Sequence, residues 1–351
     1  MRRSVSSSRL LPLALVAAGL CGSFGAFAKQ PITYHVTLVD PPGEVQPLLG
    51  GINAQGHVAG AAVLPGKAGE HALLLSSTRA IDLGTLGGKT SFATAVNASN
   101  LVVGTATTAT NADHAFTWKQ GAMTDLGTLP GGNLSQAEGV NDAGQVVGFA
   151  AVSPSSNHAF VFDAGVMTDL GTLPGAPASA ARGINEAGHV VGDSGTASVT
   201  HAFFWRDGQM TDLGTLGGPG SSSAALAVSD DDVAVGATWD PATGGATTAT
   251  VWRAGVATPL GLPAGAGAIS SYARAVNGHG IVVGTFERTQ TTLPQGGFIS
   301  DGTRIANLED LLDAASAGFA VYSAMGIDDA NEVSVLVWDG TAFRFAVLTP
   351  V

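Results

Sequence analysis

The chain has 351 residues, of which 49 are glycine and only 12% are charged, and its formal net charge is −12. Much of its hydrophobicity comes from short runs of alanine and valine, and after residue 28 no apolar stretch approaches the ~18 residues that a membrane-spanning helix needs. The low charge and the frequent glycine argue against a disordered chain and against a coiled coil.

The first 28 residues have the pattern of a secretory signal peptide. Arg2, Arg3 and Arg9 precede an apolar run over residues 10–20, and Ala-Phe-Ala at 26–28 supplies the small residues that signal peptidase requires. We predict cleavage after Ala28 and export, either to the periplasm or out of the cell. The form of the signal indicates a bacterial protein.

The predicted mature chain, residues 29–351, is acidic and lacks cysteine. Cys21 suggests a lipoprotein as an alternative, but Leu20 before it is larger than a lipid-attachment motif accepts. Cleavage after residue 28 leaves 323 residues with 12 basic and 27 acidic side chains, a net charge of −15. The fold therefore depends on core packing without disulfides, and the acidic surface argues against nucleic acid as a partner.

One unit of about 44 residues recurs seven times. Its first marker is a triplet such as Gly-Ile-Asn or Ala-Val-Asn, and the triplets begin at residues 51, 95, 139, 183, 227, 275 and 326, at spacings of 44, 44, 44, 44, 48 and 51. A second marker is His-Ala-Phe or His-Ala-Leu, beginning at His71, His114, His158 and His201. A third marker is Asp-Leu-Gly, beginning at Asp82, Asp125, Asp169 and Asp212.

Each copy predicts four short strands separated by turns. The first strand ends at the Asn turn, the second is the Val-Val-Gly run, the third is the His-Ala-Phe run, and the fourth precedes Asp-Leu-Gly. Four strands in about 44 residues match the ~40–45-residue period of a propeller blade.

The two ends of the chain predict a closed ring. Residues 32–39 precede the first copy as an isolated strand, and the last copy ends at its third strand, residues 343–348. If the N-terminal strand completes the C-terminal blade, both free edges are covered. We predict an all-β, seven-bladed β-propeller with four-stranded blades, forming one domain over residues 29–351.

The repeats resemble those of the HAF-repeat family of probable extracellular bacterial proteins. The resemblance rests on His-Ala-Phe-x-Trp followed by Met-Thr-Asp-Leu-Gly-Thr-Leu-Gly-Gly; it is strongest over residues 82–218 and weakens after residue 227. It implies export and a repeat architecture, and with them a Gram-negative bacterium. It implies no activity and no catalytic residues.

The repeated His and Asp residues suggest metal binding or catalysis, but their symmetry argues for a structural role. Repeat-equivalent histidines lie on separate blades, whereas the ligands of one metal converge within a few ångströms. We expect each histidine ring to bind a local backbone group, and each aspartate to accept turn amides.

Calcium is the one cofactor that the sequence suggests. Consecutive acids replace the Asn turn at 230–232 and 328–329, with weaker versions at 141–142 and 185–186. Calcium loops place oxygens at alternate positions, a spacing that these acids lack. We expect exposed turns and no cofactor, and keep calcium as the alternative.

The position three residues before the Asn turn varies among the copies. It is occupied in order by Gly50, Thr94, Glu138, Arg182, Leu226, Arg274 and Met325. Because first strands conventionally line the channel of a propeller, Glu138, Arg182 and Arg274 are candidate binding residues at the channel mouth. Ordinary surface exposure is the alternative.

The loops between the second and third strands vary in the later copies. The predicted loop 237–249 contains Trp239, and the predicted loop 285–295 contains Phe286 and Arg288. Loops held by a rigid scaffold often carry binding residues, although drift in unused loops gives the same variation.

Gly-x-Ser-x-Gly, His-Glu-x-x-His, P-loop and dinucleotide motifs are all absent from the sequence. We therefore favour a monomeric, non-catalytic module that binds a protein or a glycan. The alternatives are a glycan-active enzyme at the channel mouth that uses Glu138 and Arg182, and a purely structural envelope protein.

Overall fold

Short apolar runs between glycine turns form strands throughout the chain. The computed structural model describes residues 32–39, 44–289 and 293–351, and only the backbone of residues 44–49 and 243. The predicted signal peptide, residues 1–28, lies outside the described residues.

The described residues contain 28 strands in seven antiparallel four-stranded sheets, which confirms the predicted propeller. The first four blades are formed by β2 (Glu44–Ile52), β3 (Val58–Val63), β4 (Glu70–Leu75) and β5 (Ala80–Asp82); β6 (Gly87–Val96), β7 (Val102–Thr108), β8 (Asp113–Lys119) and β9 (Ala122–Asp125); β10 (Ser135–Val140), β11 (Val146–Ser153), β12 (Ser156–Asp163) and β13 (Val166–Asp169); and β14 (Ala178–Ile184), β15 (Val190–Gly195), β16 (Thr200–Arg206) and β17 (Gln209–Gly214).

The last three blades follow the same order. They are formed by β18 (Ser222–Val228), β19 (Ala234–Trp239), β20 (Thr247–Arg253) and β21 (Val256–Pro259); β22 (Ala268–Val276), β23 (Val282–Arg288), β24 (Gln295–Ser300) and β25 (Ile305–Asn307); and β26 (Ala320–Ile327), β27 (Val333–Trp338), β28 (Phe343–Pro350) and β1 (Tyr34–Leu38). Helical structure in the described residues is limited to two 3₁₀ segments, Pro241–Thr243 and Leu308–Leu311, and neither could span a membrane.

The ring closes as the sequence predicts. Strand β1 is the fourth strand of blade 7 and pairs antiparallel with β28, Val36 opposite Leu348. The first strand of every blade contacts the first strands of both neighbouring blades, including β2 with β26, so these seven strands form the inner wall.

The four-stranded meander gives the ring two distinct faces. The turn face carries the turns between strands 1 and 2 and between strands 3 and 4. The connection face carries the loops between strands 2 and 3 and the connections that lead to the next blade.

The hydrophobic core consists of seven layers, one between each pair of adjacent blades. The layer between blades 2 and 3, for example, combines Val103 and Ala115 with Val146 and Phe160. The aromatic residue of the third strand is fully buried in most blades, as Phe116, Phe160, Phe203, Phe298 and Phe345. Burial of such a side chain stabilises the fold by about 1.5–3 kcal/mol, so the seven layers provide the main cohesion of a chain without disulfides.

A β-bulge near the end of the first strand explains the glycine of the Val-Val-Gly run. A Cβ on Gly148 would lie 1.9 Å from the carbonyl oxygen of Gln136, and the equivalent glycines 104, 192, 236 and 284 are equally crowded. Blade 7 has Val335 at this position, and there the first strand carries an additional register shift between Val321 and Ser323. The backbone therefore dictates glycine wherever that additional shift is absent.

Candidate functional site

The variable position identified in the sequence is the bulge itself. The register between the first and second strands skips one residue in blades 2–7, and blade 1 is irregular over the same segment. The skipped residues, here called the bulge residues, are Thr94, Glu138, Arg182, Leu226, Arg274 and Met325, with Gly50 in blade 1. These residues lie on the inner wall, where the bulge interrupts the alternation of side chains along the strand.

Two of the predicted residues, Glu138 and Arg182, form an ionic cluster across blades 3 and 4. Arg182 Nη1 lies 3.4 Å from Glu138 Oε1, and Arg182 Nε donates to Asp193 Oδ1 at 2.8 Å. The guanidinium also lies over the ring of Phe149, 5.7 Å from its centroid. Arg182 thus pairs with two carboxylates on the inner wall, and no feature of the sequence pointed to Asp193 or Phe149.

The wall desolvates this cluster. Burial raises the pKa of Glu138 above its usual value; Arg182 opposes the shift and the charge of Asp193 adds to it. The charges of Asp193 and Glu138 outweigh burial at Arg182 and raise its pKa. A desolvated carboxyl group beside an arginine is a typical setting for acid–base chemistry, and it is also found in structural ion pairs.

The third predicted inner-wall residue, Arg274 of blade 6, is arranged differently. Its side chain is exposed, its guanidinium lies 5.7 Å from the centroid of the Tyr272 ring, and desolvation lowers its pKa, partly offset by Tyr272. No described carboxylate contributes to the pKa of Arg274.

Phe286 and Arg288 are not loop residues, which corrects the sequence-based expectation. Strand β23 extends to Arg288, Phe286 is fully buried, and the side chain of Arg288 is only 10% exposed. Arg288 donates to Glu309 Oε2 at 3.0 Å and lies 5.0 Å from the Phe286 ring centroid. Both residues therefore pack within blade 6, because the strands continue further than the sequence suggested.

Trp239 ends β19 on the connection face and is 37% exposed. The predicted loop around it is shorter than expected, because β20 already begins at Thr247. Its neighbour Asp240 accepts a hydrogen bond from Ala242 N at 2.8 Å and caps the 3₁₀ segment. This cap orders the backbone directly after Trp239.

Trp239 belongs to a group of exposed apolar side chains whose other members were not expected from the sequence. Among the described residues, four large apolar side chains are exposed on the connection face of blades 4–6 and are here called the apolar patch: Leu216, Trp239, Leu262 and Ile269. The segments that carry Leu216 and Trp239 approach each other, since a Cβ on Gly217 would lie 2.5 Å from Asp240 Oδ2.

Departures from the repeat were the available signal for the patch. In blades 1–4 a threonine hydroxyl closes the connection that follows Asp-Leu-Gly, as Thr128 Oγ1 does by donating to Gly132 O. Leu262 replaces this threonine in blade 5 and exposes its side chain instead. Ile269 stands where blades 2 and 3 have Lys89 and Asn133.

The acidic turns use their carboxylates to bind the preceding blade. Ala98 N donates to Asp142 Oδ1, Asp142 N to Glu186 Oε1, and Glu186 N to Asp230 Oδ1, at 2.8–3.0 Å. In the part of the chain that the structure describes, no three His, Cys, Asp or Glu side chains converge as a metal site would require. The geometry gives these acids a structural role at the junctions between blades.

The repeated histidines lie on third strands, but each binds the aspartate of its own blade rather than a backbone group. His114 Nδ1 lies 2.9 Å from Asp125 Oδ1, and His71, His158 and His201 make the same contact with Asp82, Asp169 and Asp212. The aspartates also accept the expected turn amide, as Asp125 does from Gly127 N.

A buried serine of the next blade completes this motif. Ser135 Oγ accepts from Ala115 N and donates to Gly127 O, at 2.8 and 2.5 Å, and equivalent serines do so in four further junctions. The segments that carry the His-Ala-Phe and Asp-Leu-Gly markers therefore fasten blades 1–4 to their successors.

The described residues thus define a seven-bladed β-propeller with a charged inner wall and an apolar patch on one face. No protein-family model matches the sequence, and a search of curated proteins finds no match. Solved structures match by fold. A puromycin-hydrolysing peptidase from Mycobacterium tuberculosis is 14% identical with a TM-score of 0.53, over 91% of this chain and 55% of that one.

Two further structures match almost end to end at lower TM-scores. TolB from Acinetobacter baumannii is 10% identical, with a TM-score of 0.44 over 91% of this chain and 96% of that one. Virginiamycin B lyase from Staphylococcus aureus is 14% identical, with a TM-score of 0.47 over 92% and 97%. At these identities the likeness shows the fold alone, because propellers with unrelated activities share this architecture.

Proposed function

We propose that this chain is an exported, non-catalytic member of the HAF-repeat proteins that binds a partner protein on the connection face of blades 4–6. The observation that carries the proposal is the apolar patch. Groups of exposed apolar side chains are uncommon on the surface of a soluble monomer and favour a binding role. Tryptophan is also a frequent anchor residue in protein interfaces.

The composition of the patch favours a protein over a glycan. Leu216, Leu262 and Ile269 are aliphatic side chains, whose burial gains most against apolar groups of a partner. Only Trp239 offers the aromatic face that a sugar ring stacks on. We expect a monomer in the periplasm or outside the cell, where the predicted signal peptide would direct it.

The test compares two double variants of the mature chain. The patch variant carries Trp239→Ala and Leu262→Ser, and its matched control carries Val166→Ser and Val256→Ser, which change two valines of the turn face that are 63% and 64% exposed. All three proteins serve as bait for envelope extracts, and each captured partner is purified and titrated.

The proposal requires a partner whose dissociation constant is unchanged in the control and rises at least about tenfold in the patch variant, the loss expected for a hot-spot truncation of ~1.4 kcal/mol or more. Equal binding of the partner by all three proteins would exclude the apolar patch as the binding surface. If no protein is captured and the chain binds a glycan array saturably in a way that depends on Trp239, the ligand of the patch is a glycan and the proposal of a partner protein is wrong.

A glycan-active enzyme with its site on the inner wall is the second candidate. The position of Glu138 on the inner wall beside Arg182 favours it, since burial raises the pKa of this carboxyl group, as in many catalytic acids. If the protein cleaves a member of a glycan panel, Glu138→Gln should abolish turnover while the circular dichroism spectrum stays unchanged. Turnover that survives the substitution would exclude this residue as the acid.

A further inference from the structure

The two arginines among the bulge residues occupy equivalent positions in blades 4 and 6. Arg182 lies between Ala181 and Gly183 where the register shifts, and Arg274 lies between Ala273 and Ala275. Their backbones are therefore fixed in the same way, and the surroundings of one can be compared position by position with those of the other.

The guanidinium group of Arg182 contacts three neighbouring side chains. It binds Glu138, the bulge residue of the preceding blade, and Asp193, which follows the glycine of its own second strand. It also lies over Phe149, which follows the same glycine in the preceding blade.

None of these three partners has a counterpart at Arg274. The bulge residue of the preceding blade is Leu226, the residue after Gly284 is Thr285, and the residue after Gly236 is Ala237. The guanidinium of Arg274 keeps one described contact, with the ring of Tyr272. Glu287, a carboxylate on the second strand of blade 6, binds other groups: it accepts from Ser270 Oγ at 2.7 Å and from Tyr272 Oη at 3.4 Å.

Thr285 provides a second, independent observation. It holds the position from which Asp193 reaches Arg182, it is 3% exposed, and its Oγ1 has no hydrogen-bond partner among the described residues. A buried hydroxyl without a partner is unfavourable by about 1–3 kcal/mol, so native structures seldom leave one without a role. Beside Arg274, blade 6 therefore has a buried hydroxyl without a described partner where blade 4 has a carboxylate that pairs with its arginine.

We propose that Arg274 and Thr285 form a carboxylate-binding subsite on the inner wall, and that its ligand is a carboxylate of the partner protein, from an acidic side chain or a chain terminus. This inference rests on the proposed function, since the ligand is a carboxylate of the partner protein that binds the connection face of blades 4–6. Arg274 lies five residues along β22 from Ile269, toward the turn face, so the partner must extend a segment into the channel to reach it. The guanidinium supplies paired N–H donors that match a carboxylate, and desolvation strengthens their attraction.

The flanking residues agree with a peptide carboxylate rather than a sugar acid. The bulge residues on either side of Arg274 are Leu226 and Met325, which are both apolar and partly exposed. A carboxylate on an apolar stem buries surface against them, whereas the hydroxyl groups of a uronic acid would lose their water without gaining partners.

The test uses 3-phenylpropionate as the probe, with its primary amide as the uncharged control and glucuronate as the sugar-acid arm. Binding to the mature chain is measured by calorimetry and by side-chain NMR of arginine Nε. Arg274→Met removes the cation, and Leu226→Glu places a carboxylate where Glu138 stands beside Arg182. Arg206→Met, at a surface arginine that is 56% exposed, is the matched control.

We expect saturable binding of 3-phenylpropionate with a dissociation constant of about 1 mM or lower. Arg274→Met and Leu226→Glu should each weaken it at least about tenfold, and Arg206→Met should leave it unchanged. Equal binding of the amide, undiminished binding by Arg274→Met, or no binding at ten times that concentration would overturn the subsite. Preference for glucuronate would overturn the peptide ligand.

The two proposals fail in different ways. Probe binding depends on Arg274 and not on Trp239, whereas capture of the partner protein depends on the patch. A partner that binds through the patch but is insensitive to Arg274→Met contradicts the subsite alone, and a probe that binds without any patch-dependent partner contradicts the proposed function alone.

Discussion

Asn141 donates its side-chain amide to the backbone carbonyl oxygen of Asn185, 44 residues further along the chain, at 3.1 Å. The same bond joins Asn53 to Asn97, Asn97 to Asn141, Asn185 to Ser229 and Asn277 to Asp328. Each asparagine also closes its own turn, as Asn141 Oδ1 does by accepting from Gln145 N. Asparagine suits this position because one residue can then both accept within the blade and donate to the next.

Asn141→Asp should therefore destabilise the ring. The substitution retains the turn acceptor and places a second acceptor against the carbonyl of Asn185, so we expect the free energy of unfolding to fall by about 1–3 kcal/mol at neutral pH. Urea unfolding followed by fluorescence measures the change. Ser229→Asn is the complementary variant, because Ser229 lacks an amide donor toward blade 6; it should add about 0.5–1.5 kcal/mol. A loss of stability in both variants would contradict a stabilising role for these side-chain amide bonds between blades.

Asp328 should make the junction between blades 7 and 1 sensitive to pH. Its Oδ1 accepts from Glu332 N at 2.8 Å, as the asparagines do, while its buried Oδ2 has no partner among the described residues and takes the place of the amide that would donate toward Asn53. Burial raises the pKa of Asp328, and the charges of Glu332 and Asp329 add to the increase.

Because the folded state then holds this proton more tightly than the unfolded chain, the contribution of Asp328 is fully present below the unfolded pKa of about 4 and is lost as pH rises through the raised folded pKa. Asp328→Asn should be more stable than the wild type at pH 7, by about 1–3 kcal/mol, and the difference should narrow toward pH 4. Thermal unfolding between pH 4 and 8 measures both. Asp207→Asn, which removes the same charge from a side chain that is 92% exposed, should show no such pH dependence.

Gly148→Ala tests the close approach at the bulge. The added methyl would collide with the carbonyl oxygen of Gln136 at 1.9 Å, and we expect a loss of about 1–3 kcal/mol or failure to fold. Gly218→Ala is the control, since nothing lies within 4 Å of a Cβ there and its stability should stay within about 0.5 kcal/mol. A fully stable Gly148→Ala protein would show that the bulge can relax.

Arg182→Met tests the charge balance of the inner wall. Arg182 lowers the raised pKa of Glu138, so its removal should raise that pKa further and leave Asp193 without its partner. The variant should lose stability relative to wild type as pH rises from 4 to 7, because ionised carboxyl groups then lie unpaired on the wall. Urea unfolding across that range measures the loss, and Arg206→Met should follow the wild-type profile.

The sequence was informative wherever a property repeats. The 44-residue period, four strands per unit, and the isolated strands at both ends were enough to predict seven blades and the pairing of β1 with β28, since these follow from local pattern and from the need to cover strand edges. The sequence also shows that the position before the Asn turn varies, but only the strand register shows that this position is a bulge shared by the first strands.

Tertiary structure decided what the variable residues do. Arg182 and Arg274 stand at equivalent repeat positions, but only the three-dimensional neighbours show that Glu138 and Asp193 neutralise the first and that Leu226 and Thr285 flank the second. Phe286 and Arg288 were expected in a loop and pack inside blade 6, because strand length depends on partners far along the chain. Local sequence thus determined the ring and its turns, whereas contacts between blades, which join residues about 40 positions apart, decided which charges are paired and which apolar side chains remain exposed.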